Sequence, residues 1–303
     1  MSAIYVVGSI NFDLTVQADR RPKPGETVLG NDVQFVLGGK GANQAIAAAR
    51  LGSNASLIGR VGDDHFGDRL LERLQEEPLD VSRVRVDTSA TTGLAFITVD
   101  DRSENSIIVI PGANDAVSPT DVEAAQLTAE DIAVSQFEIP QPTIRRFFEI
   151  AAEKGATCLL NPAPAKSFAE PILPLVDYLV VNEHELSFYS DVDREPPLTE
   201  EVIADTCKRL RAHDEQVIVV TLGADGVLAS TPAGTIRHEG HSTDTVDTTG
   251  AGDAFVGALA TALAEDRRLS EALAFANSAG AVATTTFGAS ESLPVREQIE
   301  PHL

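Results

Sequence analysis

The chain has 303 residues, 43% of them hydrophobic, which is enough for a large buried core and too apolar for a disordered protein. Asp and Glu number 46 against 23 Lys and Arg, and the formal net charge of −23 repels phosphate backbones, so nucleic acid is excluded as the expected partner. No uninterrupted apolar run is long enough to span a membrane, and the two cysteines, Cys158 and Cys207, make neither a metal spacing nor a disulfide framework.

The first segment, Ala3–Val7, reads as a buried strand and not as a signal peptide, because no basic region precedes it. It runs into VGSINFDL (7–14), which places Asn11 and Asp13 at a strand's C-terminal end, where open α/β sheets bind ligands. An Asn and an Asp together can donate to and accept from a vicinal diol. An Asx-type turn explains the same pair without a ligand. Residues 14–37 alternate in TVQAD and VQFVL and carry few helix signals, so they read as part of a small antiparallel sheet.

Next comes LGGKGANQAIAAARLG (37–52), in which glycines lead into a small-residue helix over Ala42–Leu51. It is not a Walker A loop, since no Ser or Thr follows Lys40, and it does not open the first βαβ unit as a dinucleotide fingerprint must. Lys40 and Asn43 beside bare backbone suit sugar hydroxyls; a tight helix–sheet packing turn is the alternative. A strand over Ala55–Ile58 and a helix over Phe66–Gln75 follow. Residues 84–110, with GLAFITV and NSIIVI, complete the small sheet, which is expected to lie over the cleft as a lid.

Strands over Ile132–Val134, Thr157–Leu160, Tyr178–Val181 and Val217–Leu222 then alternate with helices over Pro142–Lys154, Glu200–Ala212, Gly250–Ala264 and Ser270–Thr284. DREPPLT (193–199) reads as a polar loop. This alternation predicts one α/β domain over residues 1–303, with a central, mostly parallel sheet between helix layers.

DTTGAGDAFVGALATAL (247–263) places Asp253 just after Gly250, Ala251 and Gly252, where an apolar helix begins. Unobstructed N–H groups at a helix N-terminus form an anion site. A carboxylate there has one coherent job: taking a proton from a hydroxyl while the N–H groups stabilise a transferring phosphoryl group. The alternative is that Asp253 only caps the helix.

GGKGANQA and DTTGAGDAF, in this order, resemble the two signatures of the ribokinase-like (PfkB) carbohydrate kinase family, and the resemblance covers essentially the whole chain. NEHE (182–185) is similar to the family's N-x-x-E element, and TLGADG (221–226) to its nucleotide-binding loop. The resemblance implies a ribokinase-like three-layer α/β fold with a β-sheet lid, and a kinase using ATP and Mg²⁺. It implies Asp253 as the base and Gly250, Ala251 and Gly252 as the anion hole. It also assigns Asn182 and Glu185 to organising Mg²⁺ and phosphates, and Thr221, Gly223, Gly226 and Asn277 to the nucleotide.

GSINFD, PGETV, GGKGANQ, NPAPAK and ATTTFGAS resemble the branch of the family that phosphorylates ribose at its 5-hydroxyl. Asn11, Asp13, Gly39, Lys40, Asn43 and Glu138 are then implied to hold the sugar. Asp247, Thr249, Ala283, Thr286, Gly288 and Ser292 are implied to hold a monovalent cation, K⁺. Phe12 departs from the smaller residue often found there. Arg20, Arg21 and Lys23, in a chain with only five lysines, balance local acids or read an anionic group such as the phosphate of ribose 1-phosphate. Nucleoside, fructose and 2-keto-3-deoxygluconate kinases share the scaffold. A homodimer through the lid edges is expected.

Dispersed acid and scarce lysine resemble proteins of salt-in halophiles, whose self-repulsion is screened by concentrated salt, and a cytoplasmic location is expected. A non-catalytic sensor on the same fold is disfavoured by the presence of Asp253. A nicotinamide enzyme is disfavoured by the missing fingerprint.

Overall fold

In the computed structural model, which describes residues 2–100, 105–190 and 196–300, alternating Val- and Ile-rich runs assemble into two sheets. The strands are β1 (Ala3–Val7), β2 (Asn11–Gln17), β3 (Asp32–Gly38), β4 (Asn54–Gly62), β5 (Asp80–Asp87), β6 (Gly93–Val99), β7 (Asn105–Ile110), β8 (Ile132–Gln136), β9 (Thr157–Asn161), β10 (Tyr178–Asn182), β11 (Val217–Thr221), β12 (Val227–Thr231) and β13 (Gly234–His238). The helices are α1 (Lys40–Arg50), α2 (His65–Gln75), α3 (Pro119–Val122), α4 (Gln141–Lys154), α5 (Glu183–Tyr189), α6 (Glu200–Leu210), α7 (Ala251–Ala264), α8 (Leu269–Ala283) and α9 (Arg296–Ile299).

The large sheet has the order β13-β12-β11-β10-β9-β8-β1-β4-β5 and is parallel except at β12 and β13. Its inner parallel strands are buried on both faces, as parallel strands between helix layers must be, whereas the edge strands β5 and β13 are largely exposed. Successive residues feed two separate cores. Ile4, Val6, Val217 and Val219 pack toward α1, α7 and α8, whereas Val7, Ile218 and Val220 pack toward α4 and α6. No helix of the described residues is long and apolar enough to cross a membrane.

The second sheet, β3-β2-β6-β7, has antiparallel outer pairs around a parallel β2–β6 pair. Two boundaries differ from expectation. The sheet begins at Asn11 and not at residue 14, and residues 84–87 belong to β5, which pairs with β4 in the large sheet. The alternation of β5 is that of an edge strand with one solvated face, which looks the same in sequence as a strand of a small free sheet. The hairpin β12–β13 was also not anticipated. Residues 193–195 of the expected DREPPLT loop lie outside the described residues; residues 196–199 form the coil leading into α6.

Helix α1 packs on α7. Both helices are rich in Ala and Gly, and Gly257 is the point of closest approach. A Cβ built there would lie 2.5 Å from Ala47 Cβ and 2.7 Å from the Gln44 carbonyl oxygen. Gly257→Ala must therefore push the helices apart. The expected cost is about 1–3 kcal/mol, the range for overpacking a filled core, read as a lowered Tm in thermal unfolding. An unchanged Tm would show that the helices are free to separate.

Candidate active site

Asp253 sits in the first turn of α7, buried, and it does not cap that helix. The cap is Gly250, at φ 80, which supplies no side chain. The carboxylate instead turns toward α1: Oδ2 accepts from Asn43 Nδ2 and Oδ1 from Gln44 Nε2, both at 2.9 Å. The capping alternative is thereby removed. The turn itself is tight, with the Ala251 N–H reaching the Thr248 carbonyl at 3.3 Å. Gly252 faces open space, since a Cβ there would meet nothing within 4 Å.

The expected sugar residues converge on Asp253 from three elements. Asn11 and Asp13 alternate along β2 and are buried; Gly39 caps α1 at φ 90; Lys40 and Asn43 begin α1; Glu138 follows β8. Gly39 is hemmed in by backbone, for a Cβ would lie 2.8 Å from Asn11 N and 2.9 Å from Ser9 O. Glu138 Oε2 accepts from Ser9 Oγ at 2.6 Å and from the Lys40 N–H at 3.1 Å. Two buried acceptors here, Asp13 Oδ1 and Asn43 Oδ1, have no hydrogen-bond partner among the described residues.

Charge in the cleft is lopsided. Burial, then the neighbouring carboxylates of Glu138, Asp253 and Glu291, push the Asp13 carboxyl up to about 8. Burial works against the Lys40 ammonium, but Asp253, Glu138 and Glu185 outweigh it and hold its pKa above the ordinary lysine value. Burial raises Glu185, partly offset by the Asn182 N–H and Lys40.

The nucleotide candidates line a cavity of about 720 Å³, within the usual range for small-molecule sites. Thr221, Gly223, Gly226, Asn182 and Asn277 all border it. Asn277 also holds the cavity wall, donating from Nδ2 to the Glu239 carbonyl at 2.8 Å. A second cavity of about 210 Å³ holds Lys40, Glu185, Gly250 and Asp253. The two share Asn182, Thr221, Thr248 and Gly252, so one continuous cleft leads from the large cavity to Asp253. Asn182 and Glu185 form a reciprocal capping box on α5, with bonds of 2.8 and 2.9 Å.

The cation candidates form a knot behind the glycine turn. Asp247 Oδ1 accepts from the Thr249 N–H and hydroxyl, and Oδ2 accepts from the Gly288 N–H at 3.0 Å. Ser292 Oγ reaches the Thr249 carbonyl at only 3.3 Å, and the Thr286 N–H reaches the Ala283 carbonyl at only 3.4 Å. Among the described residues no group of three or more His, Cys, Asp or Glu gathers as a metal site.

The basic cluster lies elsewhere. About 13 Å of β2 separate Asp13 from its far end, and the cluster lies beyond it. Arg20 pairs with both Glu26 oxygens, and Arg21 with Asp100 and Ser106. These contacts match local charge balance, not phosphate reading. Phe12, on the opposite face of β2 from Asp13, packs at 5.0 Å on Phe66 of α2.

Sequence reasoning missed several residues. Gln44 stood inside the quoted GGKGANQ motif and Asn161 inside NPAPAK, but they bond to each other across 117 positions, and Gln44 to Asp253 across 209. Asn114 had no motif at all. It accepts the Ile10 N–H at 2.9 Å and donates to Asn11 Oδ1 at 2.7 Å, so the Asn11 amide turns its own NH₂ away from Asn114. His241, Thr243 and Thr245 line the large cavity from aperiodic coil.

The chain matches the pfkB family of carbohydrate kinases over residues 1–296. It is 38% identical over 302 residues to a ribokinase of Bacillus subtilis, covering 99% of both chains. It superposes on the crystal structure of a ribokinase from Thermotoga maritima with a TM-score of 0.88 at 34% identity, covering 100% of this chain and 99% of the other. The structure of an Arabidopsis thaliana ribokinase complexed with ribose and ATP gives a TM-score of 0.87 at 30% identity, with the same coverage.

The raised Asp13 carboxyl has a stability signature. Between its unfolded pKa near 4 and its folded value of about 8, the folded chain keeps a proton that the unfolded chain releases. Stability in the sugar-free protein therefore falls as pH rises through that window. Asp13→Asn removes the slope, so its Tm advantage over the parent should be larger at pH 8.5 than at pH 5. Equal differences at both pH values would show that Asp13 is not perturbed.

Proposed function

Because the chain belongs to the pfkB family of carbohydrate kinases, we propose that it transfers the γ-phosphoryl group of ATP to the 5-hydroxyl of ribose. The observation that carries this reading is the pair of buried, unpartnered acceptors, Asp13 Oδ1 and Asn43 Oδ1, beside the carboxylate of Asp253. Buried acceptors without donors are costly unless a ligand supplies hydroxyls, and a sugar is a ligand made of hydroxyls. The likeness to a relative named ribokinase, and to a structure complexed with ribose and ATP, supports the same substrates.

In this reading Asn11, Asp13, Gly39, Lys40, Asn43 and Glu138 hold the sugar with its 5-hydroxyl at Asp253. ATP occupies the large cavity along Thr221, Gly223, Gly226 and Asn277, its phosphates directed toward Gly252. Asp253 takes the hydroxyl proton as the oxygen attacks phosphorus, and the N–H groups of Gly250, Ala251 and Gly252 stabilise the charge on the transferring group. Lys40 offsets that charge on the sugar side. The small sheet, which carries Asn11 and Asp13, acts as a lid that keeps water from ATP.

Mg²⁺ would shield phosphate charge, and Glu185 with Asn182 suits it through water: among the described residues no salt bridge engages Glu185. K⁺ fits the knot around Asp247, where one carboxylate and the weakly bonded carbonyls of Thr249 and Ala283 offer the soft oxygen shell of a monovalent ion. The net charge of −23 fits a working medium of concentrated KCl. Phe35, Phe96 and Ile108 share the lid face opposite Asp13 and are exposed, which suits a dimer formed through paired lids.

ATP consumption in concentrated KCl should be faster with ribose than with ribose 1-phosphate and slower when choline chloride replaces KCl. Asp253→Asn should bind ATP normally and lose at least about 10³-fold in turnover. Preference for ribose 1-phosphate would overturn the substrate, and a near-normal Asp253→Asn would overturn the base. Sedimentation in the same salt should show a dimer; a single monomer species would remove the paired-lid arrangement.

A further inference from the structure

We propose that Gln44 is a positioning residue for phosphoryl transfer, holding Asp253 Oδ1 from behind so that Oδ2 is the oxygen presented to the sugar. The proposal rests on Asp253 being the base.

Gln44 is fully buried on α1. Its Nε2 donates twice, to Asp253 Oδ1 at 2.9 Å and to Asn161 Oδ1 at 3.1 Å. Its Oε1 accepts from Gln136 Nε2 at 2.6 Å. The sense of these amides is not free. Asn161 Nδ2 donates to the backbone carbonyl of Val180 at 2.9 Å, and a carbonyl can only accept. Asn161 must therefore present its oxygen to Gln44, Gln44 must present its NH₂ to Asp253, and Gln136 must present its NH₂ to Gln44. Turning any one of them would set oxygen against oxygen or NH₂ against NH₂. One main-chain carbonyl on β10 thus fixes three side-chain amides and, through them, the plane of a carboxylate on α7.

The network carries a polar cost. Gln136 is fully buried, and its Oε1 ends the network with no hydrogen-bond partner among the described residues. An apolar side chain would avoid that cost, so a network retained for packing alone has no reason to end this way.

The two oxygens of Asp253 are also distinguished. Oδ2 bonds to Asn43 Nδ2, and the Oδ1 of that same amide is one of the unpartnered acceptors of the sugar site. A sugar hydroxyl donated to Asn43 lies one amide group away from Asp253 Oδ2. Gln44 occupies the other oxygen. Carboxylate rotation about χ2 is intrinsically soft, so without Gln44 the plane is held by Asn43 alone. Misalignment of a reacting group lowers the rate of the chemical step without loosening substrate binding.

The test compares Gln44→Met, Gln136→Met and Asp253→Asn in the full chain, reading kcat, the KM for ribose and for ATP, and ATP binding by calorimetry. Gln44→Met keeps the length of the side chain and removes its donors. Its expected effect is a kcat loss of about 10- to 100-fold with both KM values within about threefold of the parent. Gln136→Met, which removes the donor to Gln44 Oε1 and so loosens the Gln44 side chain without touching Asp253, should show a smaller loss of the same kind. If Gln44→Met does not fold, Gln136→Met decides by the same criterion. A parental kcat in both methionine variants, with Asp253→Asn inactive, overturns the positioning role and leaves the base intact. A raised KM with unchanged kcat also overturns it, since Gln44 would then act in binding. Turnover by Asp253→Asn overturns the base itself, and the proposal with it.

Discussion

The reacting end of the molecule depends on how closely two helices approach. Asp253 belongs to α7 and its donors Asn43 and Gln44 to α1, and nothing in either helix alone brings them within 2.9 Å. The approach is possible because Gly257 faces Ala47 and the Gln44 carbonyl with no side chain between them. Hydrogen-bond geometry decays over a few tenths of an ångström, whereas a Cβ separates helices by more than that. The small-residue surfaces of α1 and α7 are therefore both a packing solution and the device that brings Asn43 and Gln44 to the Asp253 carboxylate.

A second constraint is electrostatic. Asp253, Glu138 and Glu185 act on the Lys40 ammonium, and Asp13 feels Glu138, Asp253 and Glu291. Such a site opposes its own ionisation, and Asp13 answers by holding its proton far above the usual carboxylate range. ATP brings further negative charge, so under the proposed mechanism cations and the N–H groups of the glycine turn would be part of the electrostatic balance. The surrounding fold is acidic too, but its arginines are largely engaged locally, as with Arg60 between Asp87 and Asp121 and Arg50 on Glu77.

How much was legible in the sequence follows from how far each signal travels along the chain. The glycine turn before Asp253 and the small-residue helix after Gly39 are local, and both stand where their motifs placed them. Where the Asp253 carboxylate turns was not local: its partner Asn43 is 210 positions away. Asn114 was invisible for the same reason, because it acts on Ile10 and Asn11 and belongs to a short 3-10 turn without periodicity. The assignment of Val84–Asp87 failed because alternation reports one wet face and not which sheet the strand joins. The arginines at 20 and 21 looked conspicuous in composition, yet their partners Glu26 and Asp100 were ordinary acids in a chain full of them.

The two faces of the small sheet have different neighbours. Asp13, Thr15 and Ile97 look toward the loops at 246–249 and 287–289, while Phe35, Phe96 and Ile108 look outward. In a strand these roles alternate residue by residue, so one inserted or deleted position inside β2, β3 or β6 exchanges them all. A point substitution alters one face at one position, whereas a length change within a strand alters both faces at once. Length variation in this sheet should accordingly be confined to its connections, such as residues 18–31, where the chain can grow without turning Asp13 into solvent.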